Sequence, residues 1–358
     1  MQRRPEIDWL KGFAILCVLL IHAEPLVGTA VHEHMINRAV PIFLVLFGVT
    51  SEYWWAARAR ASFAATARLW YTTRLRRLMI PVWGMLAVWW IIELAFDPRA
   101  PRSLSTGLMT AFGYMPWVGT GWFVTLILEL VLLFPLLRLC VERLGGTPSL
   151  LAALVILVVS HLYSLEVIGF MRVLLRDSAP VGGFFVFYYL WIFAPIRFFA
   201  LIAGMLIARR TEPFGWGATL LAALALSGGA ALQIWGSANP HARAAVQAAM
   251  DVPLTILLLS LIPVVRAWQP AAVALAWCGT ASWGLYLGQL LVHTSVRLFG
   301  FQSEIAPAAQ RWAYVVCLLV GAVGFLTIGD ALRTVRPGAW VGREIAPDPG
   351  VSAPQPAS

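Results

Sequence analysis

Charged side chains are scarce along this chain. Asp, Glu, Lys and Arg make up 12% of its 358 residues and apolar residues make up 60%, whereas a soluble domain carries about 25% charged residues. The apolar excess extends over the whole length, so a soluble protein of this composition would have almost no polar surface. The shortage of charge therefore excludes an ordinary soluble domain and indicates a protein embedded in lipid.

Cysteine is rare as well, and its placement argues against two further kinds of site. Cys17, Cys140, Cys278 and Cys317 all lie within apolar runs, and none forms a Cys-x-x-Cys pair. A disulfide framework and a zinc site are therefore not expected, and we predict no bound metal. The net charge is +9, but the arginines lie between apolar runs and indicate topology, so we expect no nucleic-acid partner.

Ten segments have the length and apolar character of membrane-spanning helices, which need about 20 mostly apolar residues. We predict an all-α, polytopic transmembrane bundle over residues 1–345, followed by a disordered cytoplasmic tail over 346–358 that is rich in Pro, Ala and Ser. Because Asp8, Lys11 and His22 interrupt the first segment, we expect a retained span there and not a cleaved signal peptide. The predicted spans are 9–28, 36–56, 79–96, 119–138, 149–165, 184–207, 216–235, 251–267, 273–299 and 309–332.

The distribution of positive charge predicts the orientation of the bundle. With the N-terminus inside, the predicted inner segments hold 17 Arg and Lys residues and the outer segments hold 8. The segment 57–78 dominates this bias, because it carries six arginines and no acid. The positive-inside rule therefore predicts that both termini lie in the cytoplasm.

Lys11 and His22 form the first candidate site. They lie eleven residues apart, or about three helical turns, so they share a face and His22 lies about 16 Å deeper in the membrane. A neutral imidazole near pH 7 can act as a general base on a hydroxyl, or carry an acyl group itself. The structural alternative is a histidine that forms a hydrogen bond across the bundle.

Arg74, Arg76 and Arg77 form the second candidate site, a dense cationic patch at the predicted cytoplasmic surface. Arginine's planar fork suits phosphate, so the patch can clamp the phosphates of a cytosolic donor such as acyl-CoA. The structural alternative is that the patch sets topology and binds anionic lipid headgroups.

Two further spans carry polar groups. Glu129 in the fourth span is a proton acceptor or a hydrogen-bonded structural acid, and it shares a helix face with Trp122, seven residues earlier. The ninth span has one polar stripe at spacings of three or four residues, which lines a cavity or a helix contact. The stripe consists of Ser282, Tyr286, Gln289 and His293.

Five short motifs occur in an order that resembles the acyltransferase-3 family of membrane proteins. They are Asp8, Lys11, Gly12 and His22; VPIFLVLFGV at 40–49; Arg74 and Arg77 before Pro81; Trp122 with Pro135; and GTASWGLYLGQ at 279–289. The resemblance extends over nearly the whole chain and agrees with the predicted span count and orientation. Members of this family move acyl groups, usually acetyl, from cytosolic coenzyme A donors to sugars and other acceptors.

The chain departs from the family pattern at several positions. Phe47 replaces the usual serine before Gly48, and Glu129 is shifted by one or two positions from the common acid. Trp283 replaces a common tyrosine. Gln289 replaces a common histidine. His293 lies one turn later on the same face and is the candidate to substitute for that histidine.

The resemblance implies a membrane-bound O-acyltransferase that moves an acyl group, acetyl by expectation, from cytosolic acyl-CoA to a hydroxyl of an extracytoplasmic or lipid-linked glycan. We expect acyl-CoA as a co-substrate and no tightly bound cofactor. We expect a multi-pass protein of the bacterial inner membrane. The expected roles are catalysis for His22 and Glu129; donor binding for Lys11, Arg74, Arg76 and Arg77; and a substrate cavity formed by Asp8, Trp122, Ser282, Tyr286, Gln289 and His293.

Two other functions are compatible with the same residues. A transporter or flippase of a polar or lipid-linked substrate would use the stripe of the ninth span without acyl transfer. A structural or assembly subunit would tolerate apolar residues in place of Lys11 and His22. Dependence on acyl-CoA separates both from an acyltransferase.

Overall fold

The computed structural model of the protein describes residues 5–21, 39–59, 62–96, 110–112, 121–163, 194–210, 214–235, 246, 250–298 and 323. All regular elements in these ranges are helical, so the predicted all-α class is confirmed for the described part of the chain. A 3-10 turn over Ala194–Arg197 directly precedes the α-helix that begins at Phe198. The α-helices are α1 (Pro5–Ile21), α2 (Ala39–Ala57), α3 (Phe63–Phe96), α4 (Trp122–Leu144), α5 (Gly146–Leu162), α6 (Phe198–Arg209), α7 (Trp216–Trp235), α8 (Asp251–Ser260), α9 (Ile262–Ala267), α10 (Gln269–Thr280) and α11 (Ser282–Leu298).

Two of the described helices, α2 and α4, are long and apolar enough to cross a membrane. Shorter apolar stretches occur in α5, α7 and α8. Apart from residue 323, the tenth predicted span lies outside the described residues, as does the predicted tail. The ten-span count and the cytoplasmic position of both termini therefore stay predictions.

The basic segment between the second and third predicted spans is helical from residue 63 onward. α3 continues unbroken from this segment into the third predicted span, with Pro81 inside it. Its 34 residues extend over about 51 Å at 1.5 Å per residue, whereas the hydrocarbon core is about 30 Å thick. With 79–96 in the bilayer, the basic first half of α3 extends beyond the hydrocarbon core.

Two predicted spans are each made of two helices. The span predicted at 251–267 breaks at Leu261, between α8 and α9. Pro263 is compatible with this break, because it stands in the first turn of α9, where a missing N–H is tolerated. The span predicted at 273–299 begins earlier, at Gln269, and breaks at Ala281 between α10 and α11.

α1 and α10 touch backbone to backbone through glycine. A Cβ on Gly12 would overlap the carbonyl oxygen of Leu275, and a Cβ on Gly279 would overlap the carbonyl oxygen of Asp8. Small residues allow this close approach between helices in membranes, where packing and not water drives association. The contact holds Lys11 beside the junction of α10 and α11.

α2 and α6 form a second contact of the same kind. A Cβ on Gly48 would overlap the carbonyl oxygen of Leu201, and one on Gly204 would overlap that of Val45. The two glycines themselves face each other, since a Cβ on either would lie 3.1 Å from the Cα of the other. The Gly48 motif of the sequence therefore serves helix packing here.

Ion pairs join helix ends that the charge pattern assigns to the same side. Glu52, which is buried, accepts from Arg138 Nε at 3.2 Å and from Arg209 Nε at 3.0 Å, so it links α2, α4 and α6. Arg266 donates to Glu6 and links α9 to α1. All five residues lie at predicted inner ends, which is compatible with the predicted orientation.

Gly279→Ala tests the contact between α1 and α10. The added methyl group overlaps a backbone oxygen, which cannot swing away as a side chain does, so the two helices must separate. Forced overpacking of this kind typically costs about 1–3 kcal/mol. We expect a lower midpoint of thermal unfolding for the purified protein in detergent.

Gly84→Ala is the matched control, because Gly84 lies inside α3 and a Cβ there meets nothing within 4 Å. Alanine favours a helix over glycine by up to about 1 kcal/mol, so this variant should unfold at or slightly above the temperature of the unmodified protein. An unchanged midpoint for Gly279→Ala would contradict the backbone contact.

Candidate functional site

A cavity of about 850 Å³ lies between α1, α2, α3, α4 and the junction of α10 with α11. Its volume is within the range of ligand pockets, about 300–1,000 Å³. Five of the predicted motifs surround or support it, so segments far apart in sequence meet here. The lining residues are Lys11, Ile15, Phe43, Phe47, Thr50, Arg74, Arg76, Arg77, Leu78, Ile80, Pro81, Phe123, Ile127, Val131, Thr280, Ser282, Trp283 and Tyr286.

All four residues predicted to bind the donor line this cavity. Lys11 comes from α1, and Arg74, Arg76 and Arg77 come from the basic half of α3. The lining described by the structure contains no Asp or Glu. The cavity wall therefore carries excess positive charge, which raises the local concentration of anions.

Arg74 is the most enclosed of these cations. Its guanidinium carbon lies 4.7 Å from the centroid of the Trp70 ring, and its Nη2 donates to the Thr50 carbonyl oxygen at 3.4 Å. Its Nε has no hydrogen-bond partner among the described residues. Burial, followed by the positive charges of Arg77 and Arg58, lowers the pKa of Arg74 to about 10. The side chain is still charged at neutral pH. An anion beside it would offset both the cost of burying its charge and the repulsion by the neighbouring arginines.

One wall of the cavity is aromatic. The rings of Phe43 and Phe123 lie 6.0 Å apart, and Phe123 meets the edge of Tyr286 at 5.3 Å. Tyr286 in turn stacks on Trp283, with 5.6 Å between the centroids. Phe47, at the position of the expected serine, is in T-shaped contact with Trp70, with 6.4 Å between the ring centroids. The cavity therefore offers cations to one part of a ligand and apolar surface to another.

The helix break at Ala281 places Thr280 and Ser282 on the cavity wall. The Thr280 hydroxyl donates to the Trp277 carbonyl oxygen at 2.9 Å, a local bond that competes with the regular helical pattern. Of the polar stripe predicted for the ninth span, Ser282 and Tyr286 face the cavity.

Four further predicted site residues that the structure describes, Asp8, Trp122, Glu129 and Gln289, are not among the lining residues. Asp8 contacts Gly279 through its backbone, and Trp122 packs against Phe123 at 6.0 Å. Glu129 is buried in α4 and accepts from the Ala194 backbone N–H at 3.4 Å. This contact does not decide between the two predicted roles of the carboxylate, so its catalytic role stays a prediction.

Gln289 is fully buried, and its amide has no hydrogen-bond partner among the described residues. It lies on α11, three residues beyond Tyr286. His22 lies outside the described residues, directly after the end of α1, and so does the side chain of His293. Their predicted roles stay predictions.

Several cavity residues were missed in the sequence. The motifs at 40–49 and 279–289 contain four of them, but apolar and hydroxyl residues of this kind also fill ordinary helix contacts. These residues are Phe43, Phe47, Thr280 and Trp283. Trp70, which lies outside the lining but contacts Arg74, could have been found from the sequence. It precedes Arg74 by four residues, and such pairs are neighbours on a helix face.

A family model described as an acyltransferase domain matches residues 4–329. The chain belongs to the acyltransferase-3 family. The resemblance inferred from the five motifs is thereby confirmed. No curated protein and no solved structure matches the chain.

Membership shows that the protein is a membrane-integral acyltransferase in general terms. The acyltransferase motifs and the cavity coincide: Lys11, Arg74 and Arg77 line it, and Gly12 and Gly48 support the helix contacts around it. The structure thus places motif residues from separate helices on or around one cavity.

Ser282→Cys tests whether the cavity admits solutes. In a chain whose native cysteines are replaced, a small anionic thiol reagent should modify this cysteine readily in the purified acyltransferase. Nearby cations favour the thiolate, and a thiol pKa lower by one unit gives about tenfold more thiolate. We expect modification at least about tenfold faster than at a buried control site.

Ser51→Cys is that control, because Ser51 lies in α2 with no exposed surface and outside the cavity lining. Modification is followed by mass spectrometry under identical conditions. Equal rates at the two positions would show that the cavity is closed to the reagent and would contradict this description of the site.

Proposed function

We propose that the protein moves an acyl group, acetyl in the first instance, from acyl-CoA to a hydroxyl group of an extracytoplasmic or lipid-linked glycan. The observation that carries the proposal is the cavity itself. Four cations without an acid line one part of it, aromatic side chains line another, and the chain is an acyltransferase by family.

Acyl-CoA matches this distribution of groups. Its phosphates would bind Arg74, Arg76 and Arg77, whose planar guanidinium groups donate paired hydrogen bonds to phosphate oxygens. Lys11 would add a further positive charge from α1. The less polar arm that carries the thioester would extend along the aromatic wall of Phe43 and Phe123. The alternative role of the arginines in topology would require neither the aromatic wall nor the convergence with Lys11.

His22 is the proposed catalytic residue. It would follow α1 directly, about 16 Å along the helix from Lys11, so a donor held at Lys11 would have to reach inward. As a base, His22 would take the proton of the acceptor hydroxyl. The hydroxyl oxygen would bond to the acyl carbon of the thioester, and the carbon–sulfur bond would break. The departing CoA thiolate then takes the proton. As a carrier, His22 would hold the acyl group between two such transfers; both routes stay open.

The family resemblance alone supports the proposed acceptor and the proposed location. A glycan hydroxyl on the far side of the membrane would require the acyl group to pass through the bundle, and a bacterial inner membrane would supply acyl-CoA on one side. Tyr286 and Ser282 would then contact the donor or the acceptor, and the buried amide of Gln289 would support this wall.

The binding of acetyl-CoA tests the proposal without knowledge of the acceptor. A ligand that binds the folded protein raises the midpoint of thermal unfolding with concentration. We expect such a rise for the purified protein in detergent, and a loss of most of it in Arg77→Ala. Arg68→Ala removes the same charge from α3 outside the cavity lining and should keep the rise.

Two outcomes would overturn the assignment. No rise with acetyl-, succinyl- or longer acyl-CoA would favour the transporter or flippase and leave the arginines as topology signals. A rise that is kept in Arg77→Ala would place the donor elsewhere. Once transfer can be measured, His22→Ala should abolish it while acetyl-CoA still raises the unfolding midpoint.

A further inference from the structure

Pro135 leaves a backbone acceptor open in the middle of α4. Proline has no N–H, so the carbonyl of Val131, four residues earlier, receives no donor from its own helix. The indole Nε1 of Trp70 in α3 donates to this oxygen at 2.8 Å. The hydroxyl of Tyr71 donates to the next carbonyl, that of Leu132, at 2.9 Å. Two side chains of α3 therefore satisfy the acceptors beside the proline.

This hydrogen bond fixes the plane of the Trp70 ring. The ring has no exposed surface and stacks on Phe134, with 4.5 Å between the centroids. Trp54 and Phe47 are in T-shaped contact with it, with 5.2 Å and 6.4 Å between the ring centroids. With its N–H bonded and rings on several sides, Trp70 is held in one orientation.

The same ring carries Arg74. The guanidinium carbon lies 4.7 Å from the Trp70 centroid and 5.7 Å from that of Trp54, within the range of a cation–π contact. Its hydrogen bond to the Thr50 carbonyl oxygen is long, at 3.4 Å. The long hydrogen bond restrains the guanidinium weakly, so the aromatic face of Trp70 is a main restraint on this cation. The positive charges of Arg77 and Arg58 repel it.

We propose that Trp70 is a positioning residue for Arg74. The carbonyl oxygen of Val131, left without a helical donor by Pro135, holds the indole in place. The Trp70 ring then presents the Arg74 guanidinium to the phosphates of the donor. The donor's identity rests on the proposed function, but the orientation of Arg74 does not. The proline of α4 thereby acts on a binding residue of α3 through one hydrogen bond and one ring face.

Three substitutions separate this role from a contribution to stability alone. Trp70→Phe keeps an aromatic ring but removes the donor, so Val131 loses its partner and the ring loses its anchor. Pro135→Ala returns a helical N–H to Val131 and, combined with Trp70→Phe, should restore stability without restoring the position of Arg74. Tyr71→Phe removes the neighbouring bond to Leu132 and leaves Arg74 untouched.

Modification of Arg74 by phenylglyoxal, followed by mass spectrometry, needs no ligand. We expect Arg74 to react several-fold faster in Trp70→Phe and in the double variant than in the unmodified protein or Tyr71→Phe. The exposed Arg76 serves as the internal reference and should react at the same rate throughout. In parallel, the dissociation constant of acetyl-CoA should rise about tenfold in both variants that lack Trp70, the effect of one weakened cation–π contact.

Unchanged Arg74 reactivity in Trp70→Phe would overturn the proposal. So would reactivity that returns to normal, together with the unfolding midpoint, in the double variant, because Trp70 would then act on stability alone. If the unmodified protein binds no acyl-CoA while the reactivity pattern holds, the proposed function fails and the positioning of Arg74 stands.

Discussion

The structure depends on two places where helices meet without side chains between them. Gly12 and Gly279 let α1 touch α10, and Gly48 and Gly204 let α2 touch α6. In lipid, apolar side chains gain little by leaving their solvent, so such backbone contacts carry much of the association energy. Because α1, α2 and the end of α10 are also walls of the cavity, these contacts set its width and decide which side chains face it.

The cavity that results has an electrostatic imbalance. Elsewhere some of the described cations are paired with acids, as Arg138 and Arg209 are with Glu52. On the cavity wall Lys11 and the three arginines of α3 have no carboxylate among the lining residues. A protein keeps like charges together at a cost, which a bound polyanion offsets. The family activity and this imbalance therefore lead to the same ligand class.

The sequence was sufficient for the kinds of elements but not for their pairing. Apolar runs predicted the helices, and charge spacing predicted that Arg74, Arg76 and Arg77 form one patch. Nothing in the spacing indicates that Gly12 meets residues more than 260 positions away, since helix pairing depends on the whole bundle. The break at Ala281 was hidden as well, because it involves neither proline nor glycine at that position. Burial of Glu129 against Ala194 likewise needs tertiary contacts.

The central claim is that the cations of α1 and α3 hold the phosphates of acyl-CoA inside the described cavity. The most direct measurement is an experimental structure of the purified protein with coenzyme A. The account predicts phosphate density within hydrogen-bond distance of Arg74, Arg76 or Arg77, with the pantetheine arm along Phe43 and Phe123. Coenzyme A bound elsewhere, with this cavity filled by lipid, would contradict it.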